Sequence, residues 1–84
     1  MHELSLALEV CRLAETYWSP GTSITAVGVE VGDDSGVELA NFRFCLETLL
    51  TEPPFTGARA ELEVLPGGDL RLAYVEIDDG RPND

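Results

Sequence analysis

Residues 22–31, TSITAVGVEV, decide the fold because their side chains alternate along one extended segment. A repeat of two residues is typical of a strand that packs one face against a core. One face carries Thr25, Val27, Val29 and Val31, and the other carries Ile24, Ala26, Gly28 and Glu30. We therefore predict a half-buried strand, and the neighbouring elements must supply the layer that covers it.

A helix is predicted on each side of this strand. After it, GDDSG breaks the alternation, and Ser35 followed three residues later by Glu38 has the form of a capping box, so a helix to about Leu50 is expected. Before it, apolar residues recur at three-to-four spacing from Leu4 to Trp18 in two adjacent stripes. A helix that is apolar over more than half of its circumference needs cover on more than one side.

Two more strands are predicted after the second helix. The loop TEPPFTG, residues 51–57, is followed by alternating segments at 58–65 and 70–77. Between them PGGD, residues 66–69, predicts a tight turn that pairs these strands with each other. The fold class is then α+β, a single domain with a two-layer α/β sandwich: two helices on one face of a small three-stranded mixed sheet, in the order α-β-α-β-β. Residues 77–84 are expected to form a flexible tail.

Composition narrows the function classes. A chain of 84 residues has a small core, so dimerisation or docking onto a larger protein would add stability. Sixteen carboxylates against five arginines, with no lysine, give a net charge of −11. That charge disfavours nucleic acid and anionic membranes as partners and suits a basic protein surface or a metal cation. No apolar run is long enough to span a membrane, and no segment resembles a signal peptide, so a cytoplasmic protein is expected.

The sequence offers little for catalysis. Its only histidine is His2, so no internal histidine can activate a serine or cysteine nucleophile. The glycines lack the lysine and the spacing of a phosphate-binding loop. Cys11 and Cys45 form no CxxC pair and are expected to be small buried apolar residues. We do not expect an enzyme.

The chain start, MHE, offers a metal site. The amine of Met1, the deprotonated amide of His2 and Nδ1 of its imidazole can chelate one ion, and a plane of nitrogens suits Ni(II) or Cu(II). The fourth donor would be the amide of Glu3, its carboxylate, or a group from a partner. The alternative is a frayed, solvated end, with Glu3 a favourable charge at a helix N-terminus.

Five segments follow one another along the chain: MHELSLA, VGVEVG, SGVELANFRFCLETLL, TGARAELEV and LRLAYVEI. Together they cover nearly the whole chain, and they resemble one known family, the HypA/HybF nickel metallochaperones of [NiFe]-hydrogenase and urease maturation. The start MHELSLA is similar to the signature start of that family, and the SGV segment follows in the same order.

The resemblance implies a nickel site and partners. Nickel would be held by Met1, His2 and Glu3, with His2 supplying its imidazole and amide. The nickel-bearing face would dock onto the nickel-loading GTPase and the hydrogenase large subunit or other hydrogenase components. Family members normally insert a zinc domain with two CxxC motifs between the last two strands, where this sequence has only PGGD. Zinc is therefore not expected here.

Two functions remain open at this point. The first is a reduced HypA-like accessory protein that delivers or positions Ni(II) through its MHE start, and retention of MHE favours it. The alternative is a scaffold or assembly protein of a hydrogenase complex that kept the fold and does not bind metal. The missing zinc domain and the thin core favour that alternative.

Overall fold

The computed structural model describes residues 2–80 and confirms the predicted fold class. Two helices lie side by side on one face of a three-stranded mixed sheet, and a continuous apolar core fills the space between the layers. The elements in chain order are α1 (Glu3–Glu15), β1 (Ser23–Gly32), α2 (Leu39–Leu49), β2 (Arg59–Leu65) and β3 (Leu70–Asp78).

The strand order corrects the predicted pairing of the last two strands. The order in the sheet is β2-β1-β3, with β1 parallel to β2 and antiparallel to β3. The prediction that β2 and β3 form a hairpin is wrong, because they occupy opposite edges of the sheet. A short glycine-rich link suits a tight turn, but here it bridges two strands that lie on either side of a third.

Residues 66–69 form this bridge, which crosses over the end of β1. The backbone N–H of Gly32 donates to the carbonyl of Asp69 at 2.6 Å, and that of Asp33 donates to the carbonyl of Leu65 at 2.8 Å. These bonds tie the end of β1 to both ends of the bridge. A Cβ atom on Gly32 would lie 2.7 Å from the carbonyl carbon of Gly67, so only glycine fits beneath the crossing.

The central strand β1 is buried on both faces, which corrects the prediction of a half-buried strand. Val27, Val29 and Val31 enter the core as predicted. Ile24 joins them because the pairing with β3 shifts register just after it, although the alternation had placed Ile24 on the opposite face. On that opposite face the ring of Tyr74 from β3 covers Gly28.

The start of α2 also differs from the predicted capping box. The helix begins at Leu39, and its N-cap is Glu38, whose carboxylate accepts from the backbone N–H of Asn41 at 2.6 Å. Ser35 lies in the preceding turn, where its hydroxyl donates to the carbonyl of Gly32 at 2.7 Å. Ser35 and Glu38 therefore each make their own hydrogen bond to the backbone and do not form the reciprocal pair of a capping box.

The C-terminal part of the sheet extends slightly past its predicted end. Ile77 pairs with Ile24, and Asp78 pairs with Ser23, so these two residues belong to β3 rather than to a flexible tail. Residues 81–84 of the predicted tail lie outside the described residues. Neither described helix is long and apolar enough to cross a membrane.

The crossing of the bridge over β1 generates a stability prediction. Replacing Gly32→Ala should lower the free energy of unfolding by about 2–3 kcal/mol, because the new methyl group would press on backbone that cannot move aside cheaply. Urea unfolding followed by circular dichroism measures the loss.

Gly68→Ala is the matched control within the same bridge. A Cβ atom there would meet nothing closer than the Asp34 carbonyl oxygen at 4.0 Å, so stability should change by less than about 1 kcal/mol. Equal losses in the two variants would contradict the close crossing at Gly32.

Candidate functional site

The first turns of α1 and α2 meet at one end of the molecule. The first residues of α1 contact the first residues of α2 through Glu3, which bonds to Glu38 and Asn41. The bridge of residues 66–69 lies at the end of β1, which leads directly into the turn before α2. The candidate metal site therefore lies where both helices begin.

His2 is the N-cap residue of α1 and presents an exposed imidazole. Its carbonyl accepts from the backbone N–H of Leu6 at 3.0 Å, which starts the helix, while its side chain makes no capping hydrogen bond. Within residues 2–80 the imidazole has no hydrogen-bond or ion-pair partner, so its nitrogens are available to a ligand. Met1, whose amine is one of the three predicted nitrogen donors, lies outside the described residues.

Glu3 differs from its neighbour because its side chain is buried, with only 6% of its surface exposed. One carboxylate oxygen accepts from the backbone N–H of Glu38 at 3.1 Å, and the other accepts from the side-chain amide of Asn41 at 3.2 Å. The Glu38 N–H is the largest cause that lowers the pKa of Glu3, and it outweighs the opposing effect of burial. The carboxylate is thus held in its charged form.

The residues that hold Glu3 were not identified from the sequence. The spacing of three between Glu38 and Asn41 is a local sign of a helix start, and the carboxylate of Glu38 does cap α2. The bonds to Glu3, however, join residues 35 and 38 positions apart in the chain. No periodic pattern reports a contact of that kind, so only the packing of α1 beside α2 reveals it.

The end of the molecule that bears His2 is acidic. It carries the carboxylates of Glu3, Asp33, Asp34, Glu38 and Asp69. Within residues 2–80 none of these five forms an ion pair, because the described arginines are paired with other carboxylates. Their negative potential attracts cations and offsets the positive charge at the N-terminal ends of the two helices.

The two cysteines differ in burial. Cys11 is buried in the core as predicted, and burial, with a smaller contribution from Glu15, raises the pKa of its thiol to about 11. Since the thiolate is the form that binds metal, this thiol is poorly suited to the task. The prediction that Cys45 is buried is wrong, because it is only partly buried. Residues 2–80 contain no group of three or more His, Cys, Asp or Glu side chains placed to hold a metal ion.

The fold and this site define a class of protein: a small acidic α+β domain whose first helix begins with an exposed histidine and a buried, tethered glutamate. A family model described as "Hydrogenase/urease nickel incorporation, metallochaperone, hypA" matches residues 1–69. The chain belongs to the HypA family.

Several curated proteins named hydrogenase maturation factor HypA are similar to the chain. The one from Albidiferax ferrireducens is 38% identical over 78 residues, which cover 90% of this chain and 69% of that protein. The one from Azoarcus sp. is 33% identical over 69 residues, and the one from Geobacter metallireducens is 36% identical over 67. Each of the latter two matches covers 80% of this chain and 60% of the relative.

The bonds to Glu3 generate a pH prediction. Because the pKa of Glu3 is lowered in the folded state, its stabilising effect should be complete above its unfolded pKa of about 4.3 and should disappear as pH falls through the folded value. Glu3→Gln should therefore be less stable than the parent at pH 7, and the two should converge in acid. Denaturant unfolding between pH 7 and pH 2.5 measures this.

The exposed Glu63, on β2, supplies the control. Glu63→Gln removes the same charge without removing a bond to α2, so its stability should follow that of the parent across this pH range. A constant gap between Glu3→Gln and the parent at every pH would contradict the charged tether.

Proposed function

We propose that the chain is a nickel-binding accessory protein of [NiFe]-hydrogenase or urease maturation, which delivers or positions Ni(II) through Met1, His2 and Glu3. The observation that carries the proposal is the exposed imidazole of His2 at the start of α1, beside a glutamate whose side chain is already bonded to α2. The family match begins at residue 1 and so includes these residues. In this role nickel is the cargo of the protein rather than a resident cofactor.

The proposed ligands are nitrogens. The amine of Met1, the deprotonated amide of His2 and Nδ1 of the His2 imidazole close adjoining five- and six-membered rings around one ion. A planar nitrogen set suits Ni(II). The fourth position, opposite the His2 amide, is left for a group from a partner, because the Glu3 amide lies too close to the His2 amide in the chain to reach it.

The carboxylate of Glu3 has a positioning role in this proposal rather than a ligand role. Coordination through the carboxylate would break its bonds to Glu38 and Asn41 and would leave polar groups unpaired at the start of α2. Kept in place, the carboxylate anchors the first turn of α1. The donors just before that turn can then close around the metal without disturbing the core.

The proposed partners are the nickel-loading GTPase and the hydrogenase large subunit or other hydrogenase components. The net charge of −11 supports a basic docking face on a partner protein, and the acidic end around His2 lies where such a face would meet the cargo. The chain spans 69%, 60% and 60% of the relatives from Albidiferax, Azoarcus and Geobacter. Zinc is not part of the proposed function.

A scaffold role in hydrogenase assembly is the second candidate. The observation that favours it is the apolar surface that α1 and the turn after it leave exposed, which includes Leu4, Leu8, Leu13 and Tyr17. A scaffold would use that surface without any need for an imidazole at position 2. Nickel binding by protein with a free amine at Met1 separates the two functions.

The nickel site leads to a sharp prediction about the chain start. Protein that begins at Met1 should bind one Ni(II) per chain and develop the absorption band of a square-planar Ni(II) complex. His2→Ala should abolish both, because it removes the imidazole that closes the chelate. Isothermal titration calorimetry and visible absorption spectroscopy measure the two effects.

A four-residue extension before Met1 is the companion test. It should abolish binding in the same way, because it moves the free amine too far along the chain to chelate with the His2 imidazole while leaving every side chain in place. Glu63→Gln serves as the folded control, with nickel binding unchanged. Equally tight binding by extended and unextended protein would refute the terminal chelate.

A further inference from the structure

The helix α1 is only half covered by the rest of the protein, and its two flanks are exposed to a similar extent. Leu8 lies on the flank toward α2 and keeps 46% of its surface exposed. Leu13 does not line the flank that faces α2, and it keeps 49% of its surface exposed. The cover that was predicted for α1 on more than one side is therefore incomplete. The flank beside α2 forms a groove.

A groove runs along that flank between α1 and α2, and we name it the helix groove. It has a volume of about 320 Å³. The residues that line it are Leu8, Cys11, Arg12, Glu15, Leu49, Glu52, Pro53 and Phe55. Beyond Glu15 and Pro53 it continues into an apolar hollow of about 330 Å³ walled by Trp18 and Pro54. Together they form an elongated apolar channel with carboxylates beside it.

The charges along the helix groove are not balanced. Neither Glu15 nor Glu52 forms an ion pair within residues 2–80. Arg12 is the one cation in the lining, and its guanidinium is bonded to Glu9 at 2.9 Å rather than to either of these carboxylates. An occupant that placed a cation beside each carboxylate and an apolar side chain between them would match this pattern.

A second copy of this chain does not match that description. It has no lysine, and its arginines at positions 12, 43, 59 and 71 are each within ion-pair distance of a carboxylate of their own chain. Two copies would also bring together surfaces of the same sign, since each carries a net charge of −11. This repulsion disfavours a second copy, and a basic segment of a different protein is the better match.

We infer that the helix groove binds a segment of another protein in which an apolar side chain is flanked by arginine or lysine. The apolar side chain fills the space between Leu8 and Leu49, and the cations meet Glu15 and Glu52. This surface lies beside the helix that starts at the candidate nickel site. The inference rests on the proposed function, in which the chain docks onto a partner protein. Binding at the helix groove itself requires no bound nickel.

The single tryptophan of the chain, Trp18, lies at the end of this channel and reports its occupancy. The probe is a synthetic amphipathic peptide of leucine and lysine, compared with one in which alanine replaces leucine and one in which glutamate replaces lysine. The leucine–lysine peptide should change the Trp18 fluorescence saturably, and the other two should bind at least about fivefold more weakly. The affinity should also fall as salt is raised.

Matched variants locate the binding site. Leu8→Ala and Glu15→Gln should each weaken peptide binding by about fivefold or more, whereas Leu13→Ala and Glu63→Gln should leave it within about twofold. Equal losses for Leu8→Ala and Leu13→Ala, or no saturable binding by the parent, would overturn the inference. So would sedimentation showing a dimer that Leu8→Ala dissociates, because a second copy would then occupy the groove.

Nickel titration of the same variants keeps this test separate from the proposed function. Leu8→Ala should bind Ni(II) as the parent does, since its side chain lies more than one helical turn from His2. Loss of peptide binding with nickel binding intact would support the groove as an independent surface. Normal peptide binding by a parent that fails to bind nickel would refute the metal site and leave the groove supported.

Discussion

One buried carboxylate connects the beginnings of the two helices, and the candidate site depends on it. Both helices point their positive N-terminal ends toward the same end of the molecule, and each helix start has backbone N–H groups without helical partners. Glu3 supplies a negative charge there and accepts bonds from Glu38 and Asn41. Because the Glu3 side chain turns inward, His2 is left on the surface directly before it.

A second constraint comes from the very short link between the outer strands. In the sheet β1 lies between β2 and β3, so residues 66–69 must pass over the end of β1, and Gly32 leaves room for this crossing. Bonds from Gly32 and Asp33 to the bridge then fix the end of β1 from which the chain turns into α2. The bridge thus helps to place Glu38 beside Glu3, which links a backbone crossing to the geometry of the chain start.

The elements could be predicted from the sequence, but their arrangement could not be predicted fully. Periodicity identified two helices and three strands because it reports which side chains of one element share a face. Periodicity did not show that β1 is the central strand, buried on both faces. The second face is covered at Gly28 by the ring of Tyr74, and Tyr74 lies far along the chain. Periodicity also could not separate a hairpin turn from a bridge, because both need a short segment with glycine.

The same limit applies to the site. His2 was identified because a terminal histidine has its own recognisable chemistry, and the resemblance to HypA, now supported by the family match, pointed to the same residue. The partners of Glu3 were missed because Asn41 becomes its neighbour only when α1 packs on α2. A carboxylate that the sequence presents as a ligand or a simple dipole charge is in fact bonded to the second helix.

The most direct measurement of the central claim is nickel K-edge X-ray absorption on Ni(II)-loaded protein that begins at Met1. We expect a planar shell of nitrogen donors that includes one imidazole and contains no sulfur, because the chelate uses the chain start while the Glu3 carboxylate stays on α2. Sulfur scattering from Cys11 or Cys45, or a shell of oxygen donors without imidazole, would contradict that claim.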